Sequence, residues 1–242
     1  MADPSLQPLI ELVPGSIALS SPLVTGGSPE RNLLALVNAI PSEKTHYDTI
    51  KNQKEEWMRD RLEQRRPGRY RSWHGRIPGR PELPDFDYAL IDEAAASILL
   101  LELKWFIAPA EPREIAERDE ELRKGVAQTK KLLRALDDPE VAVHAFGFMP
   151  QRIAAAVLSA NSIGSARAQD SAIAILNEEH FLRKLEAAEN LPSVIDWLAE
   201  RAYLPRPEVH FRYHRQVVKY FDWTLHWYGL EALHKATDLW PL

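Results

Sequence analysis

The sequence predicts an α/β domain: a central sheet flanked by helices, with N- and C-terminal additions. Three observations carry that prediction. Residues 98–106 form a run that is apolar on both faces until two charges interrupt it, the pattern of a central strand covered on both sides. Residues 112–136 carry an amphipathic stripe of Ile115, Leu122, Val126, Thr129, Leu133 and Leu136, spaced seven, four, three, four and three apart. Around these two segments, short strand-like and helix-like stretches alternate with neither an internal repeat nor a low-complexity tract.

The elements follow in order. Residues 1–48 carry scattered prolines and the turn signal Gly26-Gly27-Ser28-Pro29, then one short helix at 31–39; they read as an extension packing on the main body, or as the end of a longer upstream region. Residues 49–242 make the principal domain. A helix is predicted over 49–64, with Ile50, Trp57, Met58, Arg61 and Leu62 near one face, stopped by Pro67-Gly68. Strands are predicted at 70–77, 86–91 and 98–106, the last two joined by the short stretch 92–97 as an antiparallel hairpin. The long helix 112–136 ends at Asp137-Asp138-Pro139. Further strands are expected at 141–148, 153–159 and 172–176, then helices over 178–186 and 194–202 capped by Asn177 and Ser193. The alternating aromatic stretch 220–228 reads as a closing strand.

Composition bounds the function. The chain has 242 residues, 45% hydrophobic and 27% charged, within ordinary globular usage. Cysteine is absent, which excludes disulfides, thiolate zinc sites and cysteine nucleophiles and makes a reducing cytoplasm the expected location. The N-terminus lacks the basic and apolar regions of a signal peptide, and no stretch approaches 18 uninterrupted apolar residues, so no membrane association is expected. A net charge of -5 argues against a chain coated in positive charge, but not against a local basic patch.

The informative residues interrupt the apolar strands. Asp87 breaks the first strand of the hairpin, and Glu102 and Lys104 break the second; being two apart, Glu102 and Lys104 project from one face. A buried carboxylate and ammonium each cost several kcal/mol to desolvate unless something compensates. Two carboxylates converging from neighbouring strands repel unless a cation lies between them, and hard divalent cations take such oxygen ligands. The pattern therefore reads as Asp87 and Glu102 holding a metal ion with Lys104 beside it. The competing reading is an edge strand with a solvated Glu–Lys pair.

Asp87 followed by Glu102-Leu103-Lys104 resembles the motif of the PD-(D/E)XK nuclease superfamily, whose core is the restriction-endonuclease-like fold. The resemblance spans residues 49–160. It implies a mixed β-sheet between helices, a Mg²⁺ ion (with Mn²⁺ as substitute) and hydrolysis of phosphodiester bonds, in DNA more than RNA, in a setting such as defence or repair. By the same resemblance Asp87, Glu102 and the backbone carbonyl of Leu103 ligate the metal. Lys104 serves the attacking water or the developing charge. A helix glutamate, Glu55 or its neighbour Glu56, supports the metal, and Gln128 on the long helix positions Lys104 or a phosphate. Gly125 would let that helix approach the sheet closely. Asp85 competes with Asp87 for the first position; the strand-like neighbours of Asp87 favour it. The alternative within the superfamily is a member that keeps the fold as an interaction module without activity.

A nucleic-acid partner calls for basic charge near the site. Residues 59–80 hold eight arginines against only Asp60 and Glu63, and Arg65, Arg66, Arg69, Arg71 and Arg76 are the expected phosphate contacts. The competing reading is an ordinary charged helix end and hairpin. His210 and His214 are four apart but lack the Glu of a zinc-protease helix, and 161–165 lacks the Gly-Lys-Ser/Thr of a phosphate loop. Trp223, Trp227, Tyr228 and Trp240 could stack bases, although an aromatic strand is more often core. A homodimer and a further upstream domain are left open.

Overall fold

The computed structural model describes residues 9–14, 16–19, 29–109, 112–161 and 163–233. The first described element is an antiparallel hairpin of β1 (Leu9–Val13) and β2 (Ser16–Leu19), followed by helix α1 (Pro29–Ala39) and a 3₁₀ turn (Pro41–Glu43). Helix α2 (Lys44–Arg65) leads into the meander β3 (Arg71–Gly75), β4 (Phe86–Asp92) and β5 (Ser97–Lys104). Then come α3 (Pro112–Leu136), α4 (Pro139–Phe146), β6 (Arg152–Ser159), β7 (Ala174–Asn177), α5 (Glu178–Ala187) and α6 (Leu191–Ala199). The ribbon of β8 (Phe211–Tyr220) and β9 (Trp223–Ala232) follows.

The central sheet has the order β3-β4-β5-β6-β7. Its first three strands are antiparallel neighbours, whereas β5–β6 and β6–β7 are parallel. The molecule is therefore α/β, with a mixed five-stranded sheet between helical layers. The run read as a central strand is one: Leu99, Leu101 and Leu103 enter one buried cluster, and Ile98 and Leu100 the other. The first cluster is closed by α1, α2, α5 and α6 through residues such as Leu34, Met58, Leu62, Phe181 and Val194. The second is closed by α3 and α4 through Leu122, Val126, Leu132, Leu136 and Phe146. Burying such side chains on both faces, at roughly 25 cal/mol per Å² of apolar surface, drives the layering. Among the described residues no helix is long and apolar enough to cross a membrane.

The structure corrects five readings. Residues 141–146 are helical, not extended. Pro139 occupies the first turn, the Asp138 carboxylate accepts from the Glu140 N–H, and Gly147 closes the helix in the left-handed region (φ 82°). Caps at both ends prevail over the apolar run. Helix α6 starts three residues earlier than expected because Asn190, not Ser193, is its cap, accepting from the Ser193 N–H. The stretch 220–228 is not one closing strand of the core: the chain reverses at Phe221-Asp222, and among the described strands β8 pairs with β9 alone. His210 and His214 consequently share no helix face, since His214 lies in β8 and His210 precedes it. Helix α2 starts at Lys44, five residues before the expected start at 49.

Candidate active site

Register and alternation bring the site residues together. Tyr88 pairs with Leu101, so the next step along the hairpin sets Asp87 opposite Glu102. Asp87 alternates with Ala89 and Ile91, and Glu102 and Lys104 alternate with Ile98 and Leu100; all of these neighbours belong to the cluster beneath α3. The regular ladder stops there, and a side chain takes over: the Leu103 N–H donates to Asp87 Oδ2 at 2.7 Å. In an extended strand a residue's N–H and C=O point to the same side, so the Leu103 carbonyl also faces Asp87. Arg59 Nε, from α2, donates to the Asp87 carbonyl at 3.2 Å and ties the start of β4 to the helix. Lys104 Nζ donates to Glu102 Oε1 at 2.7 Å, with Glu102 only 5% exposed.

The other face of this cluster is made by α3. A Cβ on Gly125 would lie 3.1 Å from Lys104 Cε and 3.3 Å from Glu102 Cγ, so the helix crosses the pair at a distance only glycine permits without displacement. Gln128 lies one turn further along α3 and is exposed. One turn before Gly125, Glu121 feels the Lys104 charge, which helps to hold its carboxyl below the usual range; its hydrogen bond from Lys124 is the larger cause. Sequence reasoning passed over Glu121, although its spacing of four from Gly125 places it on the same face of the helix.

The charges act on one another. Burial pushes Glu102 up to about 7, the Asp87 carboxylate adds to the rise, and Lys104 opposes it. Asp87 is likewise raised by burial, against the Leu103 N–H, Lys104 and Arg59. Burial lowers the Lys104 ammonium, but the Glu102 carboxylate outweighs it and holds Lys104 above its ordinary value. Glu55, half-buried on α2, is raised by burial and again by Asp87, with Lys51 and Lys104 opposing. Glu55 therefore faces the same cluster, while its neighbour Glu56 is exposed. Asp85 is exposed and ion-paired to Arg76 at 2.7 Å, outside the buried cluster. The role of Arg59 as a clamp on Asp87 had no signal in the sequence, because it depends on how α2 crosses β4.

The donor set suits a hard divalent cation: two carboxylates from adjacent strands, both raised by burial and Glu102 also by the Asp87 charge, with the Leu103 backbone turned towards Asp87. Among the described residues no three His, Asp or Glu side chains converge closely enough to hold a metal by themselves. An ion held by two carboxylates and a carbonyl keeps several waters, as Mg²⁺ commonly does.

The arginines of residues 59–80 differ in their partners. Arg65 bonds Glu179 and Glu186 at 2.6 Å each, Arg66 bonds Glu63 and the Tyr70 carbonyl, and Arg69 the Ala188 carbonyl. Arg71 pairs with Glu93 at 3.1 Å, opposite Ile91 at the end of β4 remote from Asp87. Arg76 follows Gly75, which pairs with Phe86, and so lies at the end of the sheet that holds the cluster. Comparison with known proteins adds nothing to this picture: no family model, no curated protein and no solved structure matches the chain.

Proposed function

We propose that the chain is a metal-dependent nuclease of the PD-(D/E)XK kind, hydrolysing phosphodiester bonds of nucleic acid, DNA rather than RNA. The observation that carries the reading is the juxtaposition of Asp87, Glu102 and Lys104 on one face of adjacent strands, with the Leu103 backbone turned to Asp87. The order of elements supports it: a helix bearing Glu55, a three-strand meander bearing Asp87 and Glu102-Leu103-Lys104, then a long helix and a parallel strand.

Asp87, Glu102 and the Leu103 carbonyl would hold the divalent cation, with Glu55 in support. When bound, such a cation supplies a water acidified towards neutral pH and withdraws charge from the phosphate. The Lys104 ammonium, held charged by Glu102 in a site with little water, orients the attacking water or meets the developing negative charge. Gly125 keeps α3 close enough to exclude solvent from this pair. Gln128, exposed one turn on, is available to a substrate phosphate.

The test is nicking of supercoiled plasmid in Mg²⁺ or Mn²⁺. Cleavage is expected to stop in EDTA, and Lys104→Ala is expected to keep the fold and lose at least about a hundredfold in rate. A Lys104→Ala protein that cleaves as fast as the parent would sink the assignment. One observation favours a non-catalytic reading, in which the cluster is a structural ion pair within an interaction module: Lys104 is already bonded to Glu102 at 2.7 Å. On that reading neither protein cleaves in any divalent metal, and Lys104→Ala alters stability alone.

A further inference from the structure

The β8–β9 ribbon is the most exposed regular structure for which side-chain burial is described. Its strands pair from Phe211–Ala232 to Tyr220–Trp223 and, among the described residues, join no other sheet. A lone two-stranded ribbon is marginally stable in water unless a face is covered. Its two faces differ. One carries the cations Arg215 and Lys219, with His226, among Phe211, Tyr213, Val217, Tyr228 and Leu230, so the faces differ in charge more than in apolar content. The other carries Val218, Tyr220, Trp223, Leu225 and Trp227 towards the turn, with Tyr220 66%, Trp223 73% and Trp227 64% exposed.

Polar groups at the base of that second face are satisfied within the ribbon. Arg212 bonds Glu208 at 3.1 Å and stands opposite Glu231, while His214 bonds Gln216 at 2.9 Å. The His214 ring lies across Gly229, where a Cβ would come within 2.7 Å of it. With Phe221 at the tip, the apolar side chains expose on the order of 800 Å², about one partner's share of a standard protein interface.

We infer that this face is the contact through which the chain dimerises with a second copy of itself. Two copies meeting here bury aromatic and aliphatic surface, and the charges on this face, Arg212 and Glu231, are of opposite sign and stand opposite each other within each ribbon. Meeting through the other face would set Arg215 and Lys219 of both copies against each other. Nucleic acid complements the cationic face, but offers nothing to Val218 and Leu225. Face-to-face association makes a four-stranded, two-layered unit with a two-fold axis, the usual symmetry of a homodimer. The inference does not rest on the nuclease reading.

Sedimentation velocity of the full chain from about 1 to 100 μM tests it. The parent is expected at twice the 27.6 kDa of one chain. Trp223→Ser/Trp227→Ser is expected to weaken association at least about a hundredfold. Arg215→Glu/Lys219→Glu, on the opposite face, is expected to leave it unchanged. Far-UV circular dichroism checks that the variants stay folded. As a measurement on the parent alone, tryptophan emission is expected to move to longer wavelength on dilution through the dissociation range. A monomeric parent at 100 μM, whether its ribbon is covered from within or binds another partner, overturns the inference. So does a tryptophan variant that dimerises as tightly as the parent, a dimer lost in the charge variant, or emission independent of concentration.

Discussion

Glu63 and Glu102 are two carboxyls moved in opposite directions by their surroundings. Glu63 accepts from Arg66, Tyr88 and Ser72 and is lowered to about 2, so its stabilising contribution is present above its ordinary value of 4.5 and lost as pH falls towards 2. Glu102 is raised to about 7, so the metal-free fold loses stability as pH climbs from 4.5 to 7, by about 3 kcal/mol in full. Urea denaturation in EDTA at pH 5 and pH 8 measures that loss, and an added divalent cation is expected to restore it. Because a bound cation displaces the proton, Mg²⁺ affinity is expected to rise about tenfold per pH unit between 5 and 7 and then level, read by calorimetry. At Gly125, alanine gains about 1 kcal/mol of helix propensity yet drives its methyl against Lys104 and Glu102. Gly125→Ala is expected to stay folded, with melting little changed, and to lose about tenfold or more in cleavage. The residues of this cluster were legible because strand alternation has a period of two. Arg59 and Glu63 were not, since their roles exist only once α2 lies across β4.

At the level of elements, periodicity succeeded where one face is buried and both ends are marked. The stripe of α3 gave its bounds, and the doubly apolar β5 gave the centre of the sheet. Helix α4 was misread because eight residues are too few for a period to outweigh an apolar run; its caps are the better signal. Asp138→Ala is therefore expected to cost about 1 kcal/mol, a fall of roughly 2–4 °C in melting temperature. The β8–β9 ribbon was misread for a different reason. Its turn, Phe221-Asp222, contains no glycine, asparagine or proline, and Phe221 itself adopts the left-handed conformation (φ 49°). Alternation there signalled a pleated strand correctly, but alternation cannot say whether the apolar face meets the core or the outside.

Over the whole molecule, the basic segment that set residues 59–80 apart from a chain of net charge -5 is distributed by the fold. Arg65 and Arg69 join α2 and the following loop to α5 and its C-terminal end and Arg66 holds Glu63 and the Tyr70 carbonyl, whereas Arg76 stays at the end of the sheet with the candidate site. The two groups are expected to behave differently. Arg65→Ala should lower stability by up to about 1 kcal/mol, as for a partly exposed ion pair, seen as an earlier unfolding transition. Arg76→Ala should weaken DNA binding, measured in EDTA, and reduce the slope of log affinity against log salt by about one. The charge count in the sequence exposed the cluster; which arginines turn inwards depends on acidic partners more than a hundred residues away, such as Glu179 and Glu186.

The hairpin of β4 and β5 also has a kinetic consequence. Asp87 and Glu102 are fifteen residues apart and close over a four-residue connection, so the contact between them is among the least costly in loop entropy in the chain. The parallel strands β6 and β7 must wait for long crossovers, as must the docking of Glu55 and Gly125 from their helices. The reaction face is thus assembled early and roofed late. Substitutions in the β4–β5 hairpin, such as Leu90→Ala, should slow folding, while those in β7, such as Ile175→Val, should chiefly speed unfolding.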